Sequence, residues 1–177
     1  MKKVLCSVMV MMMLAVAFTG CSVFTTETNN GGEEAIGSYE PVKISEDYSF
    51  ADPAELDFDK RYVLTCDTSS QMIASASDYG MVASFNVYYE KEGAPVAEYD
   101  FFVVDSADHA QALISLYEQQ GSVLTQLEGH PTILTSSVDG DTLEGNLVAF
   151  QSYGMISEAK LSAYVTFMAE SMGGKVQ

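Results

Sequence analysis

The sequence predicts an α+β domain. Its main features are a largely antiparallel sheet and two helices, three if residues 70–78 form one, packed on one face as a two-layer sandwich. Three observations carry this expectation. Residues 82–104 hold two runs of period-two alternation around a turn signal. Residues 110–117 and 161–172 carry apolar stripes of helical period. Each clear helix has one stripe, so each buries a single side against the sheet.

Taken in order, residues 62–66 (Tyr-Val-Leu-Thr-Cys) read as a short strand. Residues 70–78, with Met72, Ile73 and Ala76 among serines, read as a short helix ended by Gly80. Over residues 82–89, Phe85, Val87 and Tyr89 share one face, while Ser84, Asn86 and Tyr88 share the other. Lys91-Glu92-Gly93-Ala94-Pro95 is a turn signal. Residues 96–104 alternate again, with Tyr99, Phe101 and Val103 read as inward and Glu98 and Asp100 as outward. Together the two runs make a β-hairpin.

Beyond it the period changes. Ala110, Leu113, Ile114 and Tyr117 form one helical stripe, capped by Ser106 and stopped by Gly121. Three strands are then expected, over 123–127, 132–135 and 143–150, with turns at 128–131 and 138–141. A last helix is expected over 158–172. Ser157 caps it, Ile156 and Leu161 form a hydrophobic staple, and Gly173-Gly174 stops it. Leu161, Tyr164, Val165, Met168 and Met172 form its stripe. Tyr-Gly-Met occurs at Tyr79 and again at Tyr153, with no fixed-period repeat around it.

The N-terminus carries an address. Lys2 and Lys3 open it, an uncharged and mostly apolar run of 15 residues (4–18) follows, and Ala17-Phe18-Thr19-Gly20-Cys21 ends it. Such a run is short of the roughly 20 residues that span a bilayer but suits an export signal. This segment resembles a bacterial lipoprotein signal peptide with its lipobox. The resemblance covers residues 1–21 only, and Phe18 stands where the family usually has an aliphatic residue. It implies that residues 1–20 are removed and that Cys21 becomes a diacylated N-terminus. Membrane association would then run through a lipid anchor on the extracytoplasmic face, at the outer membrane if the organism has one. Two acyl chains anchor stably, at about 0.8 kcal/mol per buried methylene, whereas one chain binds only marginally. An ordinary secretory signal cut near Ala17 or Gly20 is the alternative.

After that removal, 6 basic residues face 25 acidic ones, a formal charge of −19. This excludes nucleic acid as a partner, because such binding rests on Lys and Arg neutralising phosphates. It also excludes a patch for anionic lipid head groups. Residues 21–59, rich in Thr, Asn, Gly and acids, read as an acidic flexible tether, and residues 60–177 as the single domain.

Little chemistry is legible. Cys6 leaves with the signal and Cys21 is acylated, so Cys66 stands alone, unable to form an internal disulfide or a thiolate metal site. His109 and His130 are the only histidines, and no Gly-x-Ser-x-Gly elbow accompanies them. Asp139, Asp141 and Glu144 make a weak calcium candidate that lacks the longer loop spacing, and Asp-Gly is by itself a hairpin signal. Met72, Met81, Met155, Met168 and Met172 do not cluster as a copper array would. No cofactor signature is present. The hairpin aromatics Tyr88 and Phe102, beside Glu98 and Asp100, form the expected binding surface unless residues 38–59 cover that face. The expected function is capture of an envelope protein or small ligand by a non-enzymatic, membrane-anchored domain. The alternatives are a cell-envelope hydrolase using one of the histidines, or a structural spacer.

Overall fold

The computed structural model describes residues 39–177. The signal segment, Cys21 and the tether up to residue 38 lie outside the described residues.

A hairpin builds the centre of the molecule. Strand β4 (Met81–Lys91) and strand β5 (Ala94–Val104) pair antiparallel around the two-residue turn Glu92-Gly93. Both turn residues have positive φ, 52° and 84°. Such a turn matches the right-handed twist of the flanking strands. Strand β3 (Lys60–Cys66) lies against β4, and a late strand, β7 (Ile133–Asp139), lies against β5. Two-residue strands close the edges, β6 (Thr125–Gln126) on β7 and β8 (Lys175–Val176) on β3. The order is β6-β7-β5-β4-β3-β8, with every pairing antiparallel.

Among the described residues, four helices punctuate this sheet: α1 (Gln71–Ser75), α2 (Ala107–Gln119), α3 (Gly140–Ser152) and α4 (Leu161–Met172). Ser70 caps α1 and Ser106 caps α2, each through its Oγ accepting from the backbone N–H three residues on. Both Tyr-Gly-Met sites turn out to be helix stops. Gly80 follows a 3₁₀ turn over Ser77–Tyr79, Gly154 follows α3, and both glycines are left-handed. No helix of the described residues is long and apolar enough to cross a membrane.

Four local expectations are corrected. Residues 143–150 are helical within α3, not a strand. Leu143, Leu147 and Phe150 are the buried residues, at i, i+4 and i+7. The Asp139-Gly140 pair does not turn a hairpin but starts this helix. Asp139 Oδ1 accepts from Thr142 N–H at 2.8 Å, and a Cβ at Gly140 would come within 2.7 Å of the Pro95 carbonyl oxygen and 2.8 Å of that of Val96. The glycine is therefore what lets α3 approach β5. The last helix starts at Leu161 with Lys160, not Ser157, as the cap. Bonds from Met155 N–H to Phe150 O and from Lys160 N–H to Glu158 O keep the intervening loop folded back on itself. Finally, β7 runs on through Asp139, because residues 133–139 pair along β5.

The sheet is buried on both faces. Helices α2, α3 and α4 cover the side of Leu64, Tyr88, Val104 and Leu134. Residues 39–59, read from the sequence as the end of the tether, cover the other side. They contribute the small hairpin β1 (Val42–Lys43) and β2 (Ser49–Phe50), and bury Val42, Ile44 and Phe50 against Val63, Val87, Tyr89, Phe101 and Ile133. Three such side chains contribute roughly 1.5–3 kcal/mol each. The folded unit thus begins by residue 39, not at residue 60.

One polar clasp fixes this strap. Arg61 Nη1 donates to Asp52 Oδ1 at 2.7 Å and Nη2 donates to the Glu40 carbonyl at 2.9 Å. The Tyr89 hydroxyl donates to the same Asp52 oxygen at 2.9 Å, and the Arg61 guanidinium lies 4.8 Å from the Tyr39 ring centre. The ion-paired side chains are only 10% and 9% exposed. Removing one member of a buried pair strands the other, at about 3–5 kcal/mol. Arg61→Ala is therefore expected to lower the unfolding free energy by about 3 kcal/mol in urea denaturation and to raise binding of a hydrophobic dye as the strap lifts. An unchanged midpoint would show that the clasp does not hold the strap.

Candidate functional site

The hairpin face expected to bind is not free. Tyr88 is fully buried and meets Tyr164 of α4 edge-on, with ring centres 6.1 Å apart. Phe102 is half-buried and leans on Tyr117 of α2 at 6.3 Å. The helices occupy the side read as outward, and the strap occupies the side of Val87, Tyr89, Tyr99 and Phe101 read as inward. Alternation identifies which residues share a face. It does not say which layer covers that face, and here both faces are aromatic.

Nor are the remaining sequence candidates brought together. His109 Nδ1 contacts Asp105 Oδ1 at 2.6 Å on the surface, and this hydrogen bond holds the Asp105 carboxyl below its usual range. The Ser106 Oγ beside it accepts from the His109 backbone N–H as the α2 cap. His130 lies elsewhere, in the turn before β7, with its ring 4.4 Å from that of Tyr48 in the strap. Cys66 is buried, which pushes its thiol up and leaves it unreactive. The calcium candidates separate as well. Asp139 is held below the usual carboxylate range by the backbone N–H of Thr142, while Asp141 and Glu144 sit exposed on α3. Among the described residues, no three His, Cys, Asp or Glu side chains are grouped to hold a metal ion.

Two features that the sequence did not signal emerge. The first is a buried acidic pair. Glu98 and Asp100, read as outward, lie under the helices in mutual hydrogen-bond contact. Asp100 Oδ1 accepts from Asn86 Nδ2 at 2.5 Å, and its Oδ2 accepts from Ser136 Oγ at 2.9 Å. Burial raises Glu98 well above the ordinary carboxylate range, and the neighbouring Asp100 charge adds to the rise. Burial raises Asp100 as well, opposed first by its bond from Asn86.

The second feature is the corner between α3 and α4. A depression of about 280 Å³ is lined by Met155, Ile156, Ala163, Phe167 and Glu170, together with Ser157 and Thr166. Next to it in the chain, Tyr153 is 78% exposed and Met155 39% exposed. Large exposed side chains beside an apolar hollow with a polar rim are characteristic of an interaction surface. Glu170 is the only charged residue lining it. The loop that forms it bends back as described above, which local sequence patterns do not disclose.

Compared with protein-family models, curated proteins and solved structures, the chain matches none.

Because Tyr88 is core, Tyr88→Ser is expected to destabilise the domain by about 3–5 kcal/mol, the range for truncating a large buried aromatic. A chemical denaturation curve close to that of wild type would return Tyr88 to the surface.

Proposed function

We propose that this chain is a membrane-tethered, extracytoplasmic lipoprotein whose domain captures a protein partner through the α3–α4 corner and performs no catalysis. The address rests on Lys2, Lys3, the apolar run of residues 4–18 and the Gly20-Cys21 junction. The binding reading rests on one observation, the exposed Tyr153 and Met155 beside a hollow floored by Ile156, Ala163 and Phe167. The occupant is a segment of an envelope protein that offers an apolar side chain to the hollow and a Lys or Arg to Glu170. Charge favours this partner, since 25 acids face 6 bases after the signal. The hydrolase alternative has only the Asp105–His109 contact in its favour, and a triad needs a nucleophile held against the imidazole.

Cys21→Ser is expected to abolish metabolic labelling with palmitate and to release the protein from the membrane fraction. Continued labelling and retention would overturn the anchor.

A photo-crosslinking residue at position 153 of the full chain, in native membranes, is expected to trap one discrete partner. The same residue at the exposed position 123 is expected to trap none. Glu170→Lys turns an attraction into a repulsion and should weaken trapping several-fold, since exposed charge pairs contribute up to about 1 kcal/mol. Equal trapping at both positions, or none at 153, would remove the corner as a protein-docking site. Absence of trapping with a small molecule raising the melting temperature would assign the hollow to that ligand instead.

A further inference from the structure

We infer that Glu98 carries a proton which it donates to the Asp100 carboxylate, and that this single buried proton holds the helical layer closed over the sheet.

No Lys or Arg among the described residues reaches the pair. Six basic residues lie among the described residues, and each is engaged elsewhere. Lys43 pairs with Glu46, Arg61 with Asp52, Lys91 with Asp57, Lys160 with Glu158 and Lys175 with Asp67, while Lys60 sits over the Tyr62 ring. None reaches Glu98 or Asp100. Two charged carboxylates in contact, out of water and without a cation, are too costly to persist, so one keeps its proton.

The hydrogen-bond donors decide which one. Asp100 receives two donors, Asn86 Nδ2 and Ser136 Oγ, one on each oxygen. A carboxylate accepting such bonds is favoured in its charged form. Glu98 has only the Tyr88 hydroxyl beside it, and that fully buried group makes no well-formed hydrogen bond. The arrangement therefore assigns the charge to Asp100 and the proton to Glu98.

The pair faces groups from every layer packed on it. Strand β4 presents Asn86 and Tyr88, β7 presents Ser136, α2 presents Tyr117 and α4 presents Tyr164. Helix α3 contributes the apolar Leu143, Leu147 and Phe150. Burial opposes ionisation of both Tyr164 and Tyr117, and the negative charge of Asp100 adds to it. A second negative charge here would thus be met by hydroxyls and hydrocarbon only, and α2 and α4 are the layer that must yield to let water reach it.

The direction of the pH effect follows. The folded chain keeps a proton that the unfolded chain releases near the ordinary glutamate value of 4.5. The folded state then binds the extra proton, so the stability this pair contributes is complete below that value. It is lost as pH rises towards the pair's own higher value.

The test compares melting temperatures of the full-length protein from pH 4 to pH 9 for wild type, Glu98→Gln and Asp100→Asn. In Glu98→Gln the introduced amide N–H replaces the acid O–H as donor to Asp100. Glu98→Gln is therefore expected to melt close to wild type at pH 4, above it at pH 8, and with a flatter pH dependence. Asp100→Asn directs an amide NH₂ at Asn86 or Ser136 and is expected to melt lower at every pH. Hydrogen exchange should show α2 and α4 losing protection relative to β3 and β4 as pH rises in wild type but not in Glu98→Gln. Should either variant fail to fold, carbon NMR of the wild-type Glu98 carboxyl decides, with titration well above the ordinary glutamate range expected. Titration of Glu98 in the ordinary glutamate range, or a Glu98→Gln curve with the wild-type slope, would overturn the inference.

Discussion

The fold depends on one constraint, that the β4–β5 hairpin carries large side chains on both faces. Tyr88 projects to one side and Val87, Tyr89 and Phe101 to the other, and all four are fully buried. A sheet with two such faces cannot leave one to water, because each buried aromatic or aliphatic side chain there is worth several kcal/mol. The chain answers with different material on each side. Three amphipathic helices cover the first face. The second is covered by an irregular strap that needs only Val42, Ile44, Phe50 and a few half-buried aromatics to seal it. The acidic stretch before residue 60 is accordingly part of the core's closure, although its composition is that of a linker.

Polar chemistry follows the same division. On the strap side, the buried carboxylate of Asp52 is met by Arg61 and by the Tyr89 hydroxyl, and these bonds tie the strap to the sheet. On the helix side, the buried carboxylates of Glu98 and Asp100 are met by Asn86 and Ser136, with no cation at hand. An acid-rich chain has few cations to place in its interior, and the second face therefore uses neutral donors and a retained proton. These two solutions respond differently to solution conditions. The clasp joins a cation to an anion, whereas the acid pair relies on its retained proton and is sensitive to rising pH.

How much of this was legible in the sequence follows from how many local signals agreed. At α2, the Ser106 cap, the stripe from Ala110 to Tyr117 and the Gly121 stop point the same way, and the helix lies where it was expected. The hairpin was equally clear, because period-two alternation flanks a turn whose glycine has positive φ. At α3 the signals conflicted. Asp-Gly announces a hairpin as readily as it supplies a helix cap followed by a close approach, and only the contact with the Pro95 and Val96 carbonyls distinguishes the two. The side of the sheet that the helices choose was not legible at all. Outward-pointing Glu98 and Asp100 would be the ordinary arrangement, and their burial depends on Asn86 one strand away and Ser136 on the other side. The α3–α4 hollow is tertiary in origin, since Met155 and Ile156 meet Phe167 and Glu170 only through the backbone bonds of the intervening loop.

These same features limit where a partner can bind. Both sheet faces are occupied, so no partner docks there without displacing the strap or the helices. Both sheet edges end in strands of two residues, which offer an extended peptide too short a ladder for strand addition. What remains is the outer surface of the helices and their connections. Along that surface, Tyr153 is the most exposed large apolar side chain, and the adjoining hollow supplies both an apolar floor and a single carboxylate. The hairpin must be covered on both sides for the domain to exist, so the aromatics that look most like a binding surface in the sequence are committed to the core. The capture we propose therefore falls to the corner where two helices meet.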